Sequence, residues 1–211
     1  MSNFVYLIEI IGTIAFAISG AIVAIEKNMD IFGVMVLGVT TAVGGGMIRD
    51  VLLDNLPPTM FLNPIYVILA VLTSIFVFLL MYLLKGKGIR YLKQMDHCLN
   101  VFDSVGLGVF VVTGVNTATN NGFSELAFLS IFVGVLTGVG GGILRDILAG
   151  KVPVIFHKRV YAVAAIIGAS AYYYISGWLG TNMAMLIGIA LTLTVRMLAT
   201  YFEWNLPRIN K

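Results

Sequence analysis

The sequence predicts an all-α polytopic membrane protein of seven transmembrane helices, built as two inverted three-helix repeats plus a seventh helix. Three observations predict it: a scarcity of charge, seven apolar stretches of spanning length, and a motif that occurs twice. The 211 residues are 59% hydrophobic and 11% charged, against roughly 25% charged in an ordinary soluble domain. A hydrocarbon core about 30 Å thick takes roughly 20 apolar residues at about 1.5 Å rise each, so the length suits six to eight spans with short connections and leaves no room for a separate soluble domain.

The apolar stretches run over about 4–25, 31–53, 64–84, 99–118, 126–148, 158–178 and 182–203. The first carries Glu9 and lacks a basic leading region and a small-residue cleavage site, so it reads as a retained helix rather than a removable signal peptide. Turn signals separate the stretches: Glu26 to Asp30, Asp54 to Pro58, Lys85 to Gly88, Thr119 to Gly122, Gly150 to Pro153, and Ser176-Gly177-Trp178.

Basic residues sort these connections by side. The first holds Lys27, the third Lys85, Lys87, Arg90 and Lys93, the fifth Lys151, Lys158 and Arg159, and the tail Arg208 and Lys211, whereas the second, fourth and sixth hold no Lys or Arg. The positive-inside rule then puts the amino terminus outside and the carboxyl terminus in the cytoplasm of a plasma membrane. Seven spans satisfy both ends. The net charge of +3 therefore reports topology, not a nucleic-acid partner; the expected surroundings are the lipid bilayer.

Gly38 to Asp50 reads GVTTAVGGGMIRD and Gly134 to Asp146 reads GVLTGVGGGILRD, identical at nine of thirteen positions, and Pro57 and Pro153 keep the same 96-residue offset. Glu9, Gly12, Phe16, Ser19 and Gly20 align with Asp103, Gly106, Phe110, Thr113 and Gly114 at an offset of 94. The chain thus divides into a first repeat over 1–92, a second over 93–180, and a last helix with a short tail over 181–211. Three spans is odd, so the second copy enters the membrane upside down, with Arg49-Asp50 toward the outer side and Arg145-Asp146 toward the inner. Inverted repeats typically place their substrate or ion path where the two copies meet.

Candidate functional residues follow from the repeat. Gly44-Gly45-Gly46 and Gly140-Gly141-Gly142 weaken their helices by about 1 kcal/mol per glycine relative to alanine. Such a triplet either bends or opens a helix beside a cavity or lets two helices pack closely. A charged side chain within a span costs about 2.5–3.5 kcal/mol on insertion scales. Arg49, Asp50, Arg145 and Asp146 are therefore expected to pair, to cap carbonyls freed at a glycine break, or to set the field along a pore; the alternative is an arginine reaching to the nearer interface. Glu9 and Asp103, near the starts of their spans, suit either a helix dipole or a cation at a pore mouth. Ser19 and Thr113 offer oxygens to a cation or bond locally to backbone. Arg196 is expected to extend toward the cytoplasmic interface.

Other chemistry finds no support in the residues. No nucleophile, base or metal set converges, so an enzyme is not expected, and no catalytic residue, cofactor or metal site is assigned. Cys98 is the only cysteine, and His97 and His157 stand alone near an interface. The glycine triplets lack the Lys-Ser/Thr of a phosphate loop.

At GGGMIRD and GGGILRD, each with a proline seven residues beyond its aspartate, the chain resembles the prokaryotic branch of the TRIC family, the trimeric intracellular cation channels. Bacterial relatives carry the duplicated unit as a glycine-transporter domain. The resemblance covers nearly the whole chain. It implies a homotrimer with one pore inside each protomer, helices kinked at Gly44–Gly46 and Gly140–Gly142, and selectivity for monovalent cations, chiefly potassium. Potassium or sodium is then the permeant ion rather than a cofactor. The alternative is a secondary transporter of a small zwitterion such as glycine, with helix-end amides holding its carboxylate.

Overall fold

The computed structural model of the chain describes residues 3–84, 89–157 and 160–204, with 89–95 and 157 described through their backbone alone. Lys85, Lys87, Lys158, Arg159, Arg208 and Lys211, and the side chains of Arg90, Lys93 and His157, lie outside the described residues. Much of the expected charge alternation rests on these. The helices are α1 (Asn3–Glu26), α2 (Ile31–Leu52), the short α3 (Thr59–Leu62), α4 (Ile65–Leu83), α5 (Ile89–Ala118), α6 (Ala127–Leu148), the short α7 (Val154–His157), α8 (Tyr161–Leu179) and α9 (Thr181–Tyr201), and the chain leaves α5 through a turn at Thr119–Phe123 in which Gly122 has a φ of 91°. Among the described residues, seven helices are long and apolar enough to cross a membrane.

Two boundaries differ from expectation. The segment Ile89 to Cys98 holds no glycine or proline to stop a helix, so α5 begins at Ile89 and the division expected between 92 and 93 falls inside it. The turn expected at Ser176-Gly177-Trp178 is not there. α8 runs on to Leu179 and the chain turns at Gly180, whose φ of 76° suits a residue without a Cβ.

The ends of α2 and α6 share one design. The amide of Asn55 donates to the carbonyl of Asp50 and that of Asp54 to Val51; likewise Lys151 donates to Asp146 and Gly150 to Ile147. Asp54 and Gly150 adopt φ of 56° and 65°. Each is the left-handed residue of a Schellman ending, which satisfies the last carbonyls of the helix and reverses the chain. The short α3 and α7 then fold back beneath those ends.

α1, α2, α6 and α5 pack in a ring, each against the next; α4 lies on α1 and α2, and α8 lies on α5 and α6. α9 has no counterpart in the repeats and packs on α5 and α8. The inversion is legible in the contacts. A Cβ on Gly12 would meet Val109 and Phe110, and one on Gly106 would meet Phe16; a Cβ on Gly45 would strike the Thr137 carbonyl, and one on Gly141 the Thr41 carbonyl. Each contact maps onto the other when repeat positions are exchanged, and residue numbers rise on one helix as they fall on its partner. α1 with α5, and α2 with α6, are thus antiparallel pairs crossing at one pseudo-twofold centre. Phe16 and Phe110, equivalent residues, meet there with ring centroids 5.2 Å apart.

Lipid accounts for the outer surface. α4 exposes Leu72, Phe76 and Leu83, and α8 exposes Ile166 and Trp178, as hydrocarbon and interfacial contact require.

Candidate functional site

The sequence-marked polar residues gather at two places on opposite sides of that centre. Glu9 and Ser19 are separated by roughly 15 Å of helix rise along α1, and each belongs to a different cluster.

The first cluster is near the start of α1. Asp50 lies in the last turn of α2. Its Oδ1 accepts from Arg49 Nε at 2.8 Å, and its Oδ2 accepts from the Thr59 amide at 2.8 Å. Glu9 Oε2 accepts from Tyr66 Oη at 2.7 Å. Glu9, Arg49 and Asp50 are all buried, and they line a cavity of about 50 Å³ whose other walls include Thr13, Val43, Gly46, Met47 and Phe110. It thus reaches from the end of α2 to the central phenylalanine pair, with room for a few water molecules.

The second cluster repeats the scheme at the other end. Asp146 Oδ1 accepts from Arg145 Nε at 2.9 Å, and its Oδ2 accepts from the Val154 amide at 2.9 Å. Arg145 goes further than its counterpart: Nη1 donates to Asp103 Oδ1 at 2.6 Å and to Ser19 Oγ. Beyond it opens a larger cavity, about 270 Å³, lined by Val23, Glu26, Asp96, Leu99, Arg145, Asp146, Lys151 and others. Lys151 Nζ bridges to Glu26 at 2.8 Å at its mouth. Phe16, Ile143 and Gly142, the counterparts of Phe110, Met47 and Gly46, are not in its walls. The Arg145 guanidinium, spanning α1, α5 and α6, closes the way inward.

The two clusters are equivalent in sequence but not in contact. Ser19 binds Arg145, whereas among the described residues its counterpart Thr113 has a buried hydroxyl with no hydrogen bond, and Arg49 forms its ion pair with Asp50. Tyr161, counterpart of Tyr66, is buried beside Asp103 and under the Arg196 guanidinium. Asp103 is one methylene shorter than Glu9, and its carboxylate is drawn to Arg145.

Several residues stand otherwise than the sequence suggests. The α-helix runs on through Gly44–Gly46 and through Gly140–Gly142, and the arginines there pair with carboxylates. The physical reason is the crossing: Gly45 and Gly141 have no room for a Cβ because α2 and α6 touch backbone to backbone, Gly140 lies against Gly45, and Gly44 lies under Leu144. Gly46 and Gly142 instead face their own clusters: a Cβ added at Gly46 would lie 3.9 Å from Arg49 Nη2, and one at Gly142 3.4 Å from the Tyr161 hydroxyl and 3.7 Å from Arg145 Nη2. The carboxylates of Asp50 and Asp146 accept from the first amides of α3 and α7. Asp103 is about four turns from the start of α5, which removes the helix-dipole account for it. Arg196 does not reach an interface. It is 2% exposed, with Nη2 3.8 Å from Asp103 Oδ2 and Cζ 4.4 Å from the centre of the Tyr161 ring. Tyr66 and Tyr161 escape the sequence reading; extending the repeat past the proline loops shows a tyrosine in each copy. No group of three His, Cys, Asp or Glu suited to a metal occurs among the described residues.

The model of the family described as glycine transporter matches residues 6–82 and 100–177, one copy on each repeat. The chain superposes on a prokaryotic TRIC channel crystallised in 0.5 M KCl with a TM-score of 0.88 and 32% identity, covering 98% of this chain and all of that one. The chain belongs to the prokaryotic TRIC family. Another TRIC structure, the Rhodobacter sphaeroides orthologue, gives a TM-score of 0.85 at 33% identity over 95% of this chain and 98% of that one. The inner membrane protein YadS of Escherichia coli K12 is 44% identical over 96% of this chain and 95% of its own length, and the membrane protein YvgT of Bacillus subtilis 38% identical over 95% and 94%. In this TRIC-family chain, as the geometry shows, each repeat carries one arginine-aspartate cluster and the glycine crossing separates them.

Proposed function

We propose that the chain is a cation channel, preferring potassium, with a pore inside each protomer of a homotrimer between its inverted repeats at 1–92 and 93–180. The observation that carries this reading is a pair of cavities, each lined by an arginine-aspartate pair, on opposite sides of one apolar centre where Phe16, Phe110 and the glycine crossing pack together. Hydrophobic constrictions of this kind gate by dewetting. Conduction joins the cavities when α2 and α6 bend at Gly44–Gly46 and Gly140–Gly142 and the phenylalanines part. Glu9 and Asp103 attract cations, Ser19 and Thr113 supply oxygens along the path, and the Arg49-Asp50 and Arg145-Asp146 pairs shape its field. Potassium or sodium is the cargo and no cofactor takes part. The amino terminus lies outside a plasma membrane and the carboxyl terminus in the cytoplasm. The similarity to solved TRIC cation channels supports this reading over others.

A second reading has its own observation: the first cavity presents both a guanidinium and a carboxylate, as carriage of a zwitterion such as glycine requires. Purified protein in liposomes separates the two. Unitary potassium currents in a planar bilayer are the expected result. Saturable glycine exchange without unitary currents contradicts it.

A further inference from the structure

In repeat composition the two clusters match: each holds two acids and one arginine, Glu9, Asp50 and Arg49 against Asp103, Asp146 and Arg145. One residue breaks the match. Arg196, from the unpaired helix α9, is fully inside the protein beside Asp103 and over Tyr161. Counted over these repeat-equivalent residues and Arg196, the first cluster formally has one acid more than cations and the second has two of each, with Glu26, Asp96 and Lys151 standing further out in the second cavity. Among the described residues, no helix brings a corresponding cation to Glu9, whose carboxylate lines an open cavity and is held by the Tyr66 hydroxyl. A buried charge survives only when another charge or a cavity compensates it. In the second cluster that compensation is supplied by α9.

Resting on the channel reading, we propose that Arg196 is a selectivity-determining residue: a tethered counter-charge that takes, beside Asp103, the place a permeant monovalent cation takes beside Glu9. The field in a narrow, low-dielectric passage is set by the few charges that line it. The second cluster is then the barrier to cations, and α9 sets its height. This gives the extra helix a role that neither repeat supplies. The stack of the guanidinium on Tyr161 fixes it in place, and the short carboxylate of Asp103 leaves room for both arginines to approach.

The test is single-channel recording in planar bilayers under asymmetric KCl, comparing wild type with Arg196→Gln and Arg196→Lys. Arg196→Gln is expected to raise potassium conductance at least twofold and to move the reversal potential toward the potassium equilibrium value. Arg196→Lys, which restores the charge, is expected to bring both back toward wild type. A purely structural role moves the melting temperature and leaves the reversal potential of assembled channels alone. Should Arg196→Gln fail to fold, Asp103→Asn shifts the same balance by one charge the other way and is expected to lower conductance and cation selectivity; wild-type values there overturn the proposal. Currents in wild type that Arg196→Gln leaves as they are overturn it alone, whereas a wild type silent to every cation overturns the channel reading and this proposal with it.

Discussion

Replacing Gly141 by alanine is expected to destabilise the protein by about 3 kcal/mol, the upper range for overfilling a packed interior, while Gly46→Ala is expected to be neutral or stabilising by up to about 1 kcal/mol. The methyl added at position 141 would lie on the Thr41 carbonyl, a backbone atom with no rotamer to escape through, so α2 and α6 must separate and loosen the contact for several residues each way. At Gly46 the nearest atom is Arg49 Nη2 at 3.9 Å, so the methyl meets ordinary contact and alanine's helix propensity prevails. Thermal melting in detergent, followed by loss of folded monodisperse protein, reads both. Equal effects at 46 and 141 would show that the triplet acts as a uniform weak point and that the crossing is not its purpose.

Removing Arg145 is expected to cost about 3–5 kcal/mol, the range for breaking one partner of a buried ion pair, and removing Arg49 distinctly less. Arg145 holds Asp103, Asp146 and Ser19 together across three helices. In Arg145→Met two buried carboxylates lose their nearest cation. Among the described residues Arg49 makes its ion pair with Asp50, and Asp50 keeps the Thr59 amide when Arg49 is gone. The same melting measurement on Arg145→Met and Arg49→Met checks the difference. Equal losses would mean that the contact asymmetry between the repeats carries no energy.

The fold is readable in the sequence because lipid imposes few solutions. Seven apolar runs and a doubled GGG-x-x-RD motif are enough to give the spans, the duplication and the inversion. Site positions are readable as far as duplication marks them: Arg49, Asp50, Arg145, Asp146, Glu9, Asp103 and Ser19 do gather into two clusters. Which of two copies makes which contact is not readable. Ser19 and Thr113 look alike in sequence, but only Ser19 meets an arginine. Arg196 is misplaced by sequence because helix depth says nothing of the face a side chain takes, and only tertiary packing puts it against Asp103. The glycine triplets carry a similar ambiguity. Low helix propensity and close packing call for the same residue, and the decision lies in a partner helix 96 residues away.

Ions are expected to pass through each protomer by way of the first cavity, and everything proposed for Glu9, Arg49 and Asp50 depends on that route. Met47 lines the cavity beside Arg49 and Asp50, so Met47→Cys, with Cys98 replaced by serine, puts a single thiol in the path. Single-channel potassium currents should fall sharply after reaction with a cationic methanethiosulfonate and hold or rise after an anionic one of similar size. Currents indifferent to both reagents, with mass spectrometry showing the thiol fully modified, would place the ion route elsewhere and contradict the account.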